Sequence, residues 1–123
     1  MNLIQVLRNE CVEANADCTT KEDVLGTITR LAKQSPILEN INEAVLLKGL
    51  IDREELSTTG FGNGIAIPHC RLDGVKDFVV GIVSVPNGID FAAMDGEVVK
   101  LFVFIIAPSS SSNVHIKILS AIS

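Results

Sequence analysis

Tryptophan and tyrosine are absent from this chain of 123 residues, and phenylalanine occurs only five times. The core must therefore be aliphatic, and stacking of bases on aromatic rings, the usual grip on single-stranded nucleic acid, has little to build on. Positive charge is also scarce. Ten Lys and Arg against fifteen Asp and Glu leave a net charge of −5, whereas a phosphate-backbone binder needs a basic patch. Nucleic acid is not an expected partner. Three cysteines (Cys11, Cys18, Cys70) with no C-x-x-C pair supply neither a disulfide framework nor a structural zinc site. The opening M-N-L-I-Q-V-L-R-N-E has too short an apolar run for a signal-peptide core and no small-residue cleavage site. The longest apolar stretch, Val98 to Pro108, is broken by Lys100 and falls far short of the roughly 20 residues a spanning helix needs. A cytoplasmic domain with no membrane insertion, metal or cofactor is the expectation.

What is present is globular: 47% apolar and 20% charged residues, with length for one domain over 1–123. Leu3 to Leu7 reads as strand or helix, and Cys11 to Ala16 as a weak strand. Thr20 followed by Asp23, or Thr19 by Glu22, makes a capping box. Behind it Val24, Leu25, Ile28, Leu31 and Ala32 fall at helical spacing, up to Ser35-Pro36. A second helix, capped by Asn40 or Asn42, is expected to run to about Asp52. Its shared face would be Ala44, Leu47 and Ile51, with Ile41 and Leu50 flanking. Gly49 inside it costs about 1 kcal/mol against Ala and marks close packing of another element.

Beyond residue 77 the pattern becomes that of strands. Phe78 to Val85 is β-branched and apolar on both faces, as a central covered strand is, and Pro86-Asn87-Gly88 is expected to end it. Met94 to Glu97 turns the chain, and Val98 to Ala107 is the strongest strand. A last helix is expected from Ser112 or Asn113, with Val114, Ile118, Ala121 and Ile122 on one face. It carries no C-terminal stop signal, which reads as a domain truncated at its C-terminus. The expected fold class is α/β, a mixed sheet covered by helices on both faces.

The stretch from Arg53 to Arg71, R-E-E-L-S-T-T-G-F-G-N-G-I-A-I-P-H-C-R, concentrates the candidates for chemistry. It reads as a tight glycine loop feeding a short strand that presents His69 just past its end, after Pro68. It is not a dinucleotide fingerprint, because Ile65 stands where the third glycine belongs and a strand follows. Nor is it a phosphate loop of the Gly-Lys-Ser/Thr kind. His69 is either a strand-end histidine satisfied by a neighbour or a group that carries charge. There are only two histidines, and His115 lies in the first turn of the expected last helix, where amides and dipole favour an anion. If the two meet, they suit a phosphoryl group better than a metal, since no thiolate or carboxylate completes a ligand set. Arg53 is either a cation favoured by a helix C-terminus or a partner of phosphate oxygens. Ser57, Thr58 and Thr59 are anion donors or turn formers. A Cys70–His69 pair is disfavoured, because adjacent strand residues point to opposite faces.

The run L-S-T-T-G-F-G-N-G-I-A-I-P-H resembles the active-site signature of enzyme IIA domains of the fructose/mannitol and nitrogen-related type, in the phosphoenolpyruvate-dependent sugar phosphotransferase system. D-R-E-E-L before it, G-I-D-F-A-A-M-D-G-E-V-V after it and A-P-x(5)-V-H-I-K-I-L-S at the end fall in the same order. The resemblance implies an α/β sandwich and a phosphotransferase component working as a phosphohistidine carrier. His69 matches the residue that accepts the phosphoryl group from the phosphocarrier protein HPr and passes it to a IIB domain. His115 matches a second, unphosphorylated active-site histidine, and Arg53 an arginine that neutralises the group. Two branches are implied, fructose-type sugar uptake and a nitrogen-related regulator that reports phosphorylation state by protein binding. The paired early helices and F-G-N-G-I-A-I-P-H-C-R favour these two over the mannitol type. A binding module without phosphoryl chemistry is opposed by the presence of His69, His115 and Arg53 together.

Overall fold

The computed structural model describes residues 7–110. Six strands form one sheet: β1 (Leu7–Glu13), β2 (Gly60–Gly62), β3 (Ile65–Ala66), β4 (His69–Leu72), β5 (Val79–Ile89) and β6 (Val99–Pro108). Helices α1 (Lys21–Ala32) and α2 (Glu43–Leu56) and a short 3-10 turn (Pro36–Leu38) lie between β1 and β2. The order across the sheet is β1-β5-β6-β3-β2, with β4 also paired to β6. β1 runs parallel to β5, β5 antiparallel to β6, and both β3 and β4 parallel to β6. The expected mixed sheet is therefore present.

Helix α1 begins as its sequence predicts. The Thr20 side chain accepts from the Asp23 amide, and the Asp23 carboxylate accepts from the Thr20 amide, so two otherwise orphaned donors are satisfied. Val24, Leu25, Ile28, Leu31 and Ala32 are all buried. They pack with Val79, Val83, Phe102, Phe104 and Ile106 in one cluster, which also takes in Leu46 and Leu50 of α2. Both described helices thus cover the same face of the sheet. The other face carries Ile67, Val80, Val103, Ile105 and Ala107, which are buried as well. The expected last helix, with His115, and residues 3–6 of the first apolar run lie outside the described residues. The weak strand expected from Cys11 to Ala16 belongs to β1, which stops at Glu13.

Helix α2 departs from expectation in its face and its end. Asn42 caps it, accepting from the Ala44 and Val45 amides, but the buried residues are Leu46, Leu50 and Glu54. Leu47 and Ile51 are only partly buried and Ala44 is exposed. Apolar residues run without a break from Ala44 to Leu47, so periodicity alone does not select a face. Gly49 selects it. A Cβ there would meet Leu72 Cδ2 at 3.1 Å and Cys70 Sγ at 3.3 Å, so the missing side chain lets α2 press onto β4. The helix then continues past Asp52 to Leu56.

Pro86-Asn87-Gly88 does not end β5. Pairing with β6 shifts between Ser84 and Ile89 and then resumes at Ile89 opposite Val99. The segment is a bulge, one of the few places a sheet tolerates proline. β6 runs from Val99 to Pro108 and is buried over most of its length, as its composition predicts.

Candidate functional site

The glycine stretch is a β-hairpin rather than a loop. Gly62 pairs with Ile65, leaving Asn63-Gly64 as a two-residue connection with φ of 58° and 79°. Positive φ at both positions is the turn that matches the natural twist of a hairpin, and Asn-Gly is its strongest sequence signal. The Asp95 carboxylate clamps this tip to the Met94–Glu97 turn, accepting from the Asn63 amide at 3.0 Å through Oδ2 and from the Glu97 amide at 3.0 Å through Oδ1. Those two amides, Glu97's first, hold the Asp95 carboxyl below the ordinary carboxylate range.

β3 and β4 keep one register against β6: Ile65 lies opposite Leu101, Ala66 opposite Phe102 and His69 opposite Ile105. They are two halves of one line, interrupted at Ile67-Pro68. Pro68 has no amide to give, while its carbonyl accepts from Ile105 N at 3.0 Å. The Ile67 amide turns the other way and donates to the Thr59 carbonyl at 3.0 Å. His69 opens β4 and is half-buried on the side of Ile105, the face opposite the helices. Cys70 points to the helix side, beneath Gly49, and burial pushes its thiol up to about 12. The two side chains lie on opposite faces, so they form no catalytic pair.

The imidazole has a defined orientation. His69 Nδ1 lies 2.7 Å from the Ile67 carbonyl oxygen. A carbonyl only accepts, so Nδ1 carries the hydrogen and, in the neutral ring, Nε2 carries the lone pair. The backbone two residues back thus sets the tautomer of the ring.

Arg53 stands where α2 gives way to the hairpin, and its Nη1 donates to the Ser57 carbonyl at 2.8 Å. This is the dipole-favoured C-terminal position. Arg53 and His69 flank the same hairpin, and the Thr59–Ile67 hydrogen bond draws its two ends together. His115 lies outside the described residues. Ser57 is the C-cap of α2. Thr58 is held by local bonds, donating from Oγ1 to the Phe91 carbonyl at 2.8 Å and accepting from the Gly60 amide at 3.0 Å. Thr59 leads to a residue that sequence reasoning passed over. Its amide donates to Glu54 Oε2 at 3.2 Å and its hydroxyl bonds Glu54 Oε1, while Lys21 Nζ lies 3.4 Å from the same Oε2. Among the described residues no cluster of three His, Cys, Asp or Glu side chains is placed to hold a metal. No described helix is long and apolar enough to cross a membrane.

Comparison with known proteins gives this geometry a context. Residues 5–123 match the family model described as "Phosphoenolpyruvate-dependent sugar phosphotransferase system, EIIA 2". A nitrogen regulatory protein of Pseudomonas aeruginosa is 33% identical over 122 residues, covering 99% of this chain and 78% of its own. A fructose-specific EIIA component of Haloferax volcanii is 35% identical over 114 residues, covering 93% of this chain and 73% of its own. Among solved structures, the nitrogen regulatory protein IIA-Ntr of Neisseria meningitidis superposes with a TM-score of 0.83 at 26% identity, over 94% of this chain and 77% of that one.

Proposed function

The chain belongs to the EIIA 2 family of the phosphoenolpyruvate-dependent sugar phosphotransferase system, and on that premise we propose that it carries a phosphoryl group on His69 Nε2. The group arrives from an HPr-type phosphocarrier and leaves to a IIB domain in fructose-type uptake, or its presence is reported to a protein target in nitrogen-related regulation. The observation that supports the reading best is the 2.7 Å hydrogen bond from His69 Nδ1 to the Ile67 carbonyl.

The chemistry follows from that bond. Attack by the Nε2 lone pair forms the N–P bond in line as the donor's imidazole N–P bond breaks, through a loose transition state. Little covalent work is asked of the protein beyond alignment and charge stabilisation. As the lone pair is given to phosphorus the ring becomes cationic, and the Ile67 carbonyl stabilises that charge through Nδ1–H. A hydrogen bond to a charged group contributes about 1.5–3 kcal/mol. The carbonyl also holds the ring so that Nε2 is the nitrogen on offer, the role a carboxylate plays toward histidine in hydrolase triads. Arg53, released from the Ser57 carbonyl, has the planar fork that pairs with phosphoryl oxygens. His115 is assigned the place beside the phosphoryl group that the family resemblance gives it. Residues 1–123 act as one IIA domain in the cytoplasm, where donor and recipient meet it.

The experiment is phosphorylation by phosphoenolpyruvate, enzyme I and HPr, read as an acid-labile mass gain of one phosphoryl group. His69→Ala is expected to abolish it, and persistence in that variant would overturn the assignment. His115→Ala is expected to keep phosphorylation of His69 and to slow onward transfer. The regulatory reading is favoured by the naming of the P. aeruginosa relative, the uptake reading by that of the H. volcanii relative. Adding a fructose-type IIB domain to the phosphorylated protein separates them: loss of the label to IIB supports uptake, and retention supports regulation.

A further inference from the structure

Glu54 is an anomaly in a family of exposed acids. Of the run Asp52 to Glu55, it alone is buried, with 7% of its surface exposed. Three donors converge on its two oxygens: the Thr59 hydroxyl on Oε1, and the Thr59 amide and Lys21 ammonium on Oε2. A carboxylate has the acceptor oxygens for all three. Lys21 is itself held in place, with its Nζ 4.7 Å from the Phe91 ring centroid. Phe91 in turn accepts the Thr58 hydroxyl at its carbonyl. Thus the start of α1, the end of α2 and the segment before β5's partner strand are drawn onto one point, immediately ahead of the hairpin.

What lies downstream of that point is the His69 ring. Glu54 fixes Thr59 at both amide and hydroxyl. The Thr59 carbonyl then accepts the Ile67 amide at 3.0 Å, and the Ile67 carbonyl accepts His69 Nδ1–H at 2.7 Å. Pro68 follows Ile67 and restricts the backbone on both sides of the connecting peptide, so a shift at Thr59 is transmitted rather than absorbed. We infer that Glu54, braced by Lys21, is a positioning residue that sets the tautomer and aim of His69 through Thr59 and Ile67. It touches neither donor nor phosphoryl group. The role rests on the reading of His69 as the phosphoryl acceptor, but its signature is visible without any transfer.

The test is long-range proton–nitrogen NMR of the His69 ring in the full chain, beside the rate of phosphorylation by phospho-HPr. The parent is expected to show the Nδ1–H tautomer. Glu54→Met removes both acceptor oxygens at similar side-chain length. It is expected to raise the Nε2–H share measurably and to slow phosphorylation by about tenfold to a hundredfold, the range for a small misplacement of a reacting group. Thr59→Val removes the hydroxyl at nearly constant volume and is expected to act the same way, while Thr59→Ser retains the hydroxyl and is expected to restore the parental ring signature. Should Glu54→Met fail to fold, the Val and Ser pair at Thr59 carries the decision. A parental His69 signature in the folded Glu54→Met or Thr59→Val protein overturns the positioning role. Failure of the parent to take a phosphoryl group on His69 overturns the carrier reading instead.

Discussion

Two glycines of the hairpin make different demands, and alanine at each separates them. Gly64 has φ of +79° and no atom within 4 Å of the position its Cβ would take. Alanine there meets only the left-handed backbone penalty, about 1–2 kcal/mol. Gly62 has φ of +122°, well beyond the left-handed helical region near +57°, where residues other than glycine are essentially excluded and the cost reaches about 3 kcal/mol. The added methyl at Gly62 would lie 3.4 Å from Asp95 Oδ2, an ordinary contact, so the difference is one of backbone rather than clash. Alanine also removes unfolded-state entropy, about 0.4–1 kcal/mol, but equally at both sites, and that term cancels in the comparison. Gly62→Ala should therefore be less stable than Gly64→Ala by about 1–2 kcal/mol. With a urea m-value of about 2 kcal/mol/M that separates their midpoints by about 0.5–1 M. Urea melts of parent and both variants measure it. Equal midpoints, or Gly64→Ala the weaker, would refute the hairpin geometry that leads to His69.

Other consequences follow from the same contacts. Cys70, with its thiol raised to about 12 by burial under α2, should resist alkylation at pH 8 until the protein unfolds; labelling of the native protein at the unfolded rate would contradict its placement. The Asp95 carboxyl has its pKa lowered in the folded state from the ordinary 3.8, so its stabilisation is present above that value and is lost as pH falls through the folded one. Asp95→Asn should thus be weaker than the parent at pH 7 and converge with it in increasingly acidic urea melts; a gap that widens on acidification would be the wrong sign. Leu50→Ala, at a position with no exposed surface, should cost about 2–5 kcal/mol, whereas Ala at the more exposed Leu47 should cost less. Reversal of that order would restore the helix face first expected from periodicity.

Much of the fold is legible where one local signal dominates. The Thr20–Asp23 capping box and the spacing of Val24, Leu25, Ile28 and Leu31 specify α1, and the β-branched runs specify β5 and β6. The face of α2 is not legible, because an unbroken apolar run lets several faces compete and the tertiary fit of Gly49 over Cys70 decides between them. Pro86 and Gly88 look like an ending, yet pairing with β6 resumes beyond them because a bulge absorbs the extra residues. Within the site, a histidine presented after Pro68 is visible in the sequence. The Asn63-Gly64 signal for a hairpin is also there, though three nearby glycines disguise it as a loop. Glu54 is hidden for a different reason. It sits in a run of charges that reads as solvated, and its three donors come from Lys21 and Thr59, brought to it only by the packing of α1 and the hairpin.

On the proposed reading, His69 offers Nε2 because Ile67 holds Nδ1. Nitrogen–phosphorus NMR of the phosphorylated, nitrogen-labelled protein tests it most directly. The expected result is phosphorus coupled to Nε2 of His69, with Nδ1 still protonated. Phosphorus on Nδ1 of that ring, or on any other residue, would contradict it.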